Sequence, residues 1–534
     1  MLPMSLPDTH TSAPCDWKDA ASCKRWLDQL PLTNFGQAQQ ALTAELIRFL
    51  HLKIAPLERL NTLEQLRETA AMVQAECAKK YAAKPLPMAT TEVAQWKQSV
   101  ELWQNLRAAY QRCLLDALGG GGEAAQHAAL ICQRCLRYTA LTLFEYYLTN
   151  QEVDPELWRH LHGLYAFAEK HNLTDEAVRD SLIEEAKTTS CTIAYAQALL
   201  IGRSNPYSLT PKQLELASRW IDKWGEKIQV RTTPGEGESV LTVDPESNSG
   251  ARQAGEIPDT SSTRYLVTDD LGKNLGIRIM LLGEGKSPAE LGLGGDCLQP
   301  GCEALLKLLY QQWRKPGITG RAEPRHQADQ QVQLCFGIPA IHYFVSGKPF
   351  KQPGAPQLSR QEEEELRTFG HISKHREAMQ LSQLGFALDS WKIISDSSIG
   401  LGMMRDANGG GSRVSLKQLI GARPAESKYF MLCVVERITL QQNGELHIGT
   451  RTLPGLPEPV AARPSGTGRG TAYVQALLLP DVAVLKTEPS LVLPNGWFQT
   501  DRIIDVFTSE SQRIKLTKLM EKGADYERVD FGVP

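Results

Sequence analysis

Residues 391–400 read WKIISDSSIG, and this stretch decides how the C-terminal half of the chain is interpreted. The apolar residues Trp391 and Ile393 alternate with other side chains before a run of small polar residues that ends at Gly400. Residues 331–338, QVQLCFGI, alternate in the same way, with apolar side chains at every second position. A period of two residues is typical of β-strands that bury one face. The sequence therefore predicts a β domain from residue 331 onward.

Turn signals divide the rest of this half. Asn443-Gly444 lies between the short apolar runs 437–440 and 446–448, which predicts a tight hairpin with positive φ at both turn positions. A Pro/Gly-rich break at 463–470 precedes short predicted strands at 474–479, 491–493 and 503–507. We therefore predict a small C-terminal β unit over residues 471–534. A charged stretch, 359–383, predicts a helix inserted between strands at about 355–386.

The first half of the chain has a helical period. Apolar side chains recur every three or four residues, as at Trp96, Val100 and Trp103. Residues that favour the start of a helix occur at positions 34, 56, 91, 154 and 210. We predict an irregular bundle of at least six helices over residues 1–230. A turn-rich linker at 231–262 follows, and then a mixed connecting segment at 263–320 with a strand at 276–282 and a helix at 302–314. The expected fold class is a multidomain α+β protein.

Composition narrows the class of protein. The 58 Lys and Arg residues nearly balance the 61 Asp and Glu residues, giving a net charge of -3, which argues against general binding to nucleic acid or anionic membranes. No run of about 18 apolar residues predicts a transmembrane helix, and the N-terminus has no signal-peptide pattern. We expect a cytoplasmic protein whose 11 cysteines are reduced and form no disulfides.

Two short motifs suggest a ligand. Arg321 and Arg325 stand four residues apart immediately before the first clear strand, and residues 395–400, SDSSIG, stand at the end of the strand that begins at Trp391. This order resembles PilZ domains, which carry R-x-x-x-R ahead of their first barrel strand and [D/N]-x-S-x-x-G later. The predicted strands at 414–422 and 433–437, and the hairpin after them, are also similar to that family. The resemblance covers residues 321–455 and says nothing direct about the helical half.

The resemblance implies a PilZ-like antiparallel β-barrel at 321–460 that binds cyclic di-GMP. The implied ligand residues are Arg321, Arg325, Ser395, Ser397 and Gly400. Arginine forks suit phosphate oxygens and the O6 and N7 atoms of guanine. Ser397 offers a hydroxyl to a base edge, and Gly400 allows a close backbone approach. Ser395 departs from the family's Asp or Asn, and a serine oxygen is the weaker acceptor. Asp396 is expected to point to the other face of the strand.

We interpret the chain as a non-catalytic cyclic di-GMP receptor that transmits ligand occupancy to a protein partner through its helical half. It is expected to need no cofactor or metal, and no Ser/His/Asp or Cys/His catalytic arrangement is recognisable. The alternative is an interaction scaffold with a degenerate PilZ-like barrel, which Ser395 favours.

Two weaker motifs leave further alternatives open. Residues 283–287, GEGKS, resemble part of a phosphate-binding loop and leave an NTPase as a remoter alternative, although Met280 stands where the loop's first glycine belongs. Cys132 and Cys135 have zinc-ligand spacing but lie within a helical apolar pattern, which favours a buried structural role.

Overall fold

The structure is a computed structural model that describes residues 6–11, 14–120, 122–183, 188–235, 240–314, 326–354, 367, 385–466 and 471–534. The chain divides into two compact units, Met1–Lys84 with Met88–Arg321 and Pro85–Pro87 with Ala322–Pro534. Among the described residues, no helix combines the length and the apolar character that crossing a membrane requires.

The described part of the first unit begins with eight α-helices, which confirms the predicted helical character. They are α1 (Ala20–Leu27), α2 (Phe35–His51), α3 (Pro56–Ala78), α4 (Thr90–Gly120), α5 (Ala128–Leu148), α6 (Pro155–Lys170), α7 (Cys191–Arg203) and α8 (Pro211–Trp224). Several begin at the start signals read from the sequence. The Asn34 side chain accepts a hydrogen bond from the Gln37 amide, and Thr210 forms a reciprocal capping box with Gln213.

A buried ionic cluster ties these helices together. Arg67 of α3 donates to Asp180 at 2.6 Å, and Arg134 of α5 donates to both carboxylate oxygens of Glu64 at 3.0 Å. Tyr110 of α4 donates to the same glutamate at 2.7 Å. Burial alone would raise the pKa of Asp180, but the charges of Arg134 and Arg67 hold that pKa below its usual value. The cluster thus keeps its carboxylates ionised inside the helical core.

The remainder of the first unit differs from the expected linker and connecting segment. Strands β1 (Gln229–Arg231), β2 (Val240–Val243), β3 (Arg252–Gln253) and β4 (Arg264–Val267) form an antiparallel sheet in the order β1-β4-β2-β3. Leu241 and Val243 are fully buried in the helical core, so residues 231–262 include structural strands. Turn residues dominate this stretch, and its few apolar side chains gave too weak a period to reveal them.

Two helices follow, α9 (Asp269–Gly283) and α10 (Gly301–Trp313). The predicted helix at 302–314 is confirmed, but the strand predicted at 276–282 is wrong because those residues lie within α9. Leu271, Leu275 and Leu282 are buried at helical spacing, and the strand prediction used only the last part of that pattern.

One disulfide joins Cys297 and Cys302, whose Cα atoms are 5.3 Å apart. This separation lies within the range that a disulfide can bridge. The expectation that the chain forms no disulfides is therefore wrong at this pair, while the other nine cysteines are free and buried.

In the second unit, six strands form a closed antiparallel barrel in the order β10-β7-β6-β5-β8-β9. The strands are β5 (His326–Phe336), β6 (Asp389–Ser397), β7 (Gly400–Asp406), β8 (Leu419–Pro424), β9 (Met431–Leu440) and β10 (Glu445–Thr452). The barrel confirms the β domain that the two-residue period predicted.

Three details of this barrel differ from the sequence prediction. Ile338 does not extend β5 but begins helix α11 (Ile338–Ser346), and the strand predicted at 414–422 begins only at Leu419. In the predicted hairpin turn, Gly444 has positive φ whereas Asn443 does not. Most of the predicted insertion at 355–386 lies outside the described residues.

A second closed barrel ends the chain and confirms the predicted C-terminal β unit, although its first strand lies before residue 471, where that unit was predicted to begin. It consists of β11 (Glu458–Pro464), β12 (Val474–Leu479), β13 (Ser490–Pro494), β14 (Ile503–Phe507), β15 (Ser511–Lys522) and β16 (Tyr526–Gly532), in the order β11-β12-β13-β16-β15-β14. Helix α11 and both barrels of this unit share one apolar cluster, in which Ile341, Leu432 and Leu477 are fully buried.

The helical core should depend on the residues beyond 227. The indole of Trp313 is buried and donates to the Leu200 carbonyl and to the Ser204 hydroxyl, both at 3.0 Å. We expect a fragment of residues 6–314 to unfold cooperatively and a fragment of residues 6–227 to melt at a lower temperature, because the shorter one loses buried apolar surface. Circular dichroism melts of the two fragments check this. Equal midpoints would show that β2, β4, α9 and α10 add nothing to the core.

Candidate functional site

The motif at 395–400 forms the end of β6, the turn after it and the first residue of β7. Ser395 pairs with Gln327 of β5 on one side and with Gly402 of β7 on the other. Ser397 pairs with Gly400, and its hydroxyl donates to the Gly400 carbonyl at 3.1 Å. The three candidate residues of this motif therefore lie together on one hairpin.

A β-bulge at Ile394 decides which way these side chains face. Ile393 pairs with Met403, while Ser395 pairs with Gly402, so Ile394 is an extra residue in β6. Ile393 and Met403 are buried inside the barrel, at 2% and 0% exposure. Gly402 is next to Met403 in β7 and therefore lies on the opposite, outer face of the barrel. Since Ser395 pairs with Gly402, Ser395 and Ser397 also face the outside of the barrel. Without the bulge, simple alternation from Trp391 would have turned both serines inward.

Asp396 points away from the two serines. It pairs with Leu401 and with His326, and its Oδ1 atom is buried without a hydrogen-bond partner. This orientation agrees with the expectation from strand alternation. Asp396 is therefore badly placed to act in place of the acidic residue that Ser395 replaces.

Gly400 has a clear structural reason to be glycine. A Cβ atom at this position would collide with the carbonyl oxygen of Thr450 in β10. At the same place the register between β10 and β9 is irregular, because Gly449 pairs with Arg437 while the next residue, Thr450, pairs with Val435. The close backbone approach that the sequence suggested at Gly400 is thus an approach of β7 to β10.

Arg321 and Arg325 lie outside the described residues. Arg325 is nevertheless joined by a peptide bond to His326, the first residue of β5. His326 and Gln327 pair with Asp396 and Ser395. The two motifs, separated by an insertion in the sequence, are therefore connected through the end of β5.

A row of outward positions extends the motif across the barrel, and sequence reasoning missed it. Ser395 pairs with Gly402, Gly402 with Gly449, and Gly449 with Arg437, on the successive strands β6, β7, β10 and β9. Neighbouring strands lie about 4.8 Å apart, so the row forms a continuous strip. Gly449 and Arg437 are far from Ser395 in sequence, and only the strand order places them in the same row as the β6-β7 hairpin.

The other candidate motifs do not form sites in the described structure. Residues 283–287 begin at the last residue of α9 and continue beyond it, whereas a phosphate-binding loop leads from a strand into a helix N-terminus. Cys132 and Cys135 are buried in α5, and Cys132 Sγ contacts the Leu164 carbonyl. Within the described ranges, no group of three or more His, Cys, Asp or Glu residues is arranged to hold a metal ion.

Fold and motif together define a class of protein: a helical region followed by a PilZ-like barrel and a smaller C-terminal barrel. The family described as "Cyclic-di-GMP receptor FimW, N-terminal domain" matches residues 21–234, and the "FimW C-terminal beta-barrel domain" matches residues 460–533. The chain is also 23% identical to the Cyclic-di-GMP receptor FimW of Pseudomonas aeruginosa strain PAO1, over 95% of this chain and 89% of that protein.

The two matched regions span more than half of the chain and flank the barrel that carries the motif. The chain therefore belongs to the FimW family.

Replacing Gly400 with Ala should destabilise the barrel by about 1–3 kcal/mol, the usual cost of overpacking, because the new methyl group meets the Thr450 backbone. Urea denaturation of the full chain measures the loss. Gly409→Ala is the matched control, since its Cβ would make only an ordinary contact at 3.5 Å. Equal stability of the two variants would contradict the close approach of β7 to β10.

Proposed function

We propose that this chain is a cytoplasmic, non-catalytic receptor for cyclic di-GMP, and that Arg321, Arg325, Ser395, Ser397 and Gly400 belong to its ligand site. No cofactor is needed for binding. Membership of the FimW family supports the ligand.

The main support for the site is the pairing of Gln327 with Ser395. It fixes the start of β5 beside the outward-facing serines, so the chain that carries Arg321 and Arg325 joins the barrel at the motif. An arginine pair can then supply forked hydrogen bonds to phosphate oxygens and to guanine, while the serines offer hydroxyl groups to a base edge.

We further propose that ligand binding is transmitted to a protein partner through the helical unit. Such coupling requires that the ligand bind two states of the receptor with different affinity.

An interaction scaffold with a degenerate barrel is the second candidate function. Ser395 favours it, because the outward position that carries an acidic or amide acceptor in PilZ domains here carries only a hydroxyl. Asp396 faces the other way and offers no replacement. The NTPase alternative loses support, because Lys286 follows a helix C-terminus.

Replacing Arg321 or Arg325 with Ala should weaken cyclic di-GMP binding by about 1–3 kcal/mol, the value of a forked arginine contact to guanine. Isothermal titration calorimetry of the full chain measures the affinity, with ATP and GTP as control ligands. Arg513→Ala, an exposed strand arginine of the second barrel, is the matched control variant. A wild-type chain that does not bind cyclic di-GMP would favour the scaffold.

Replacing Ser395 with Asp should strengthen binding, because a carboxylate on the outer face accepts charge-assisted hydrogen bonds that a hydroxyl cannot match. The expected gain is about 1.5–3 kcal/mol, measured by the same titration. Ser390→Asp adds the same charge to an exposed position of β6 away from the motif and should change nothing. A gain in both variants would indicate a general electrostatic effect instead of a restored acceptor.

A further inference from the structure

Gln327 of β5 lies directly beside Ser395 on the outer face of the barrel. The two residues are cross-strand partners, and directly paired residues of antiparallel strands project to the same face with Cβ atoms about 4.5–5.5 Å apart. Because Ser395 faces outward, Gln327 faces outward too. His326, the residue before it, pairs with Asp396 on the opposite face. Gln327 therefore extends the serine face of the motif onto the neighbouring strand.

The side-chain amide of Gln327 is available to a ligand. Gln327 is exposed, and its side chain has no hydrogen-bond partner within the part of the chain that the structure describes. Asp329, the acidic residue of the same strand, is already engaged, since its carboxylate pairs with Lys392 Nζ at 3.0 Å. At the Ser395 position, β5 thus presents an amide that no other described group occupies.

The motif itself places little acceptor strength on this side. A Cβ atom on Gly402 would collide with the Ser395 hydroxyl oxygen, so that hydroxyl lies towards β7 and away from β5. The Ser397 hydroxyl donates to the Gly400 carbonyl at 3.1 Å, and Asp396 faces the other side of the strand. On the β5 side of Ser395, the polar group next to the motif is therefore the Gln327 amide.

A glutamine amide suits the edge of a guanine base. That edge presents N–H donors at N1 and at the exocyclic amine beside the O6 acceptor, and a side-chain amide carries one acceptor oxygen and two N–H donors. Ser395 offers only a hydroxyl on a shorter side chain. Glutamine is also one methylene longer than the asparagine that PilZ domains carry at the Ser395 position, which helps its amide reach across from the neighbouring strand.

We infer that Gln327 binds a guanine base of the ligand, and that its side-chain carbonyl accepts from the N–H donors of that base in place of the residue that Ser395 replaces. This inference rests on the proposed cyclic di-GMP function and deepens it, because it assigns to the ligand a residue that belongs to neither motif. The acceptor moves from β6 to β5, and the site keeps a group that recognises guanine despite the departure at Ser395.

Calorimetric titration of the full chain with cyclic di-GMP tests the inference. Gln327→Ala should weaken binding about two- to tenfold, the loss expected for one neutral hydrogen bond. Gln331→Ala removes the same side chain from another exposed position of β5, so it is the matched control and should bind like the wild type. Thermal melts of both variants report whether the barrel is folded to the same extent.

A double-mutant cycle with Ser395→Asp separates a contact with the base from a general effect on the strand. Ser395→Asp should strengthen binding by a larger factor in the Gln327→Ala background than in the wild type, because the new carboxylate takes over the contact that was lost. A structural defect at the start of β5 would not be recovered in this way.

The outcomes distinguish the two proposals. If the wild-type chain does not bind cyclic di-GMP, the proposed function fails. If the wild type binds and Gln327→Ala binds as tightly as Gln331→Ala, Gln327 is no part of the site and only this inference is overturned. An equal gain from Ser395→Asp in both backgrounds would overturn the exchange of the acceptor between the two strands.

Discussion

The bulge at Ile394 is the constraint on which the candidate site depends. Strand β6 begins by placing Trp391 and Ile393 inside the barrel, and one extra residue then reverses the alternation. Ser395 and Ser397 face outward only because of this reversal. The same irregularity brings Ser395 over Gly402, which has no side chain to obstruct it. A single local change in register thus turns the end of a core strand into an outward-facing surface.

The strand that completes the candidate site is also tied to the second barrel. Thr450 of β10 meets Gly400, and the next residue, Arg451, forms ion pairs with Glu436 of β9 and with Glu521 of β15. Burial alone would lower the pKa of Arg451, but Glu521 and Glu436 raise that pKa above its usual value, so the guanidinium stays charged. The shared apolar cluster beneath α11 adds a second connection. The site therefore lies on a barrel that is packed as one body with its C-terminal neighbour.

Local signals predicted most of the regular structure. Side-chain caps and the helical period located most of the helices, and alternating apolar residues located β6, β12 and β14. The errors occur where local and tertiary preferences disagree. Residues 276–282 have an apolar run that fits either element, and α9 became a helix because Leu271 and Leu275 pack into the same core. Ile338 continues the alternation of β5 in sequence, but Gly337, with φ 80°, turns the chain and Ile338 begins α11.

The sequence by itself determined the class of each half, the order of the two motifs and the departure at Ser395, because these depend on residue identity and short-range period. The tertiary structure decided which face each motif residue occupies and which distant residues join it. Gly449 and Arg437 carry no motif, and only the strand order β6-β7-β10-β9 places them in the same outer row as Ser395. Register between strands is fixed by the packing of the closed barrel, and no short-range pattern in the chain encodes it.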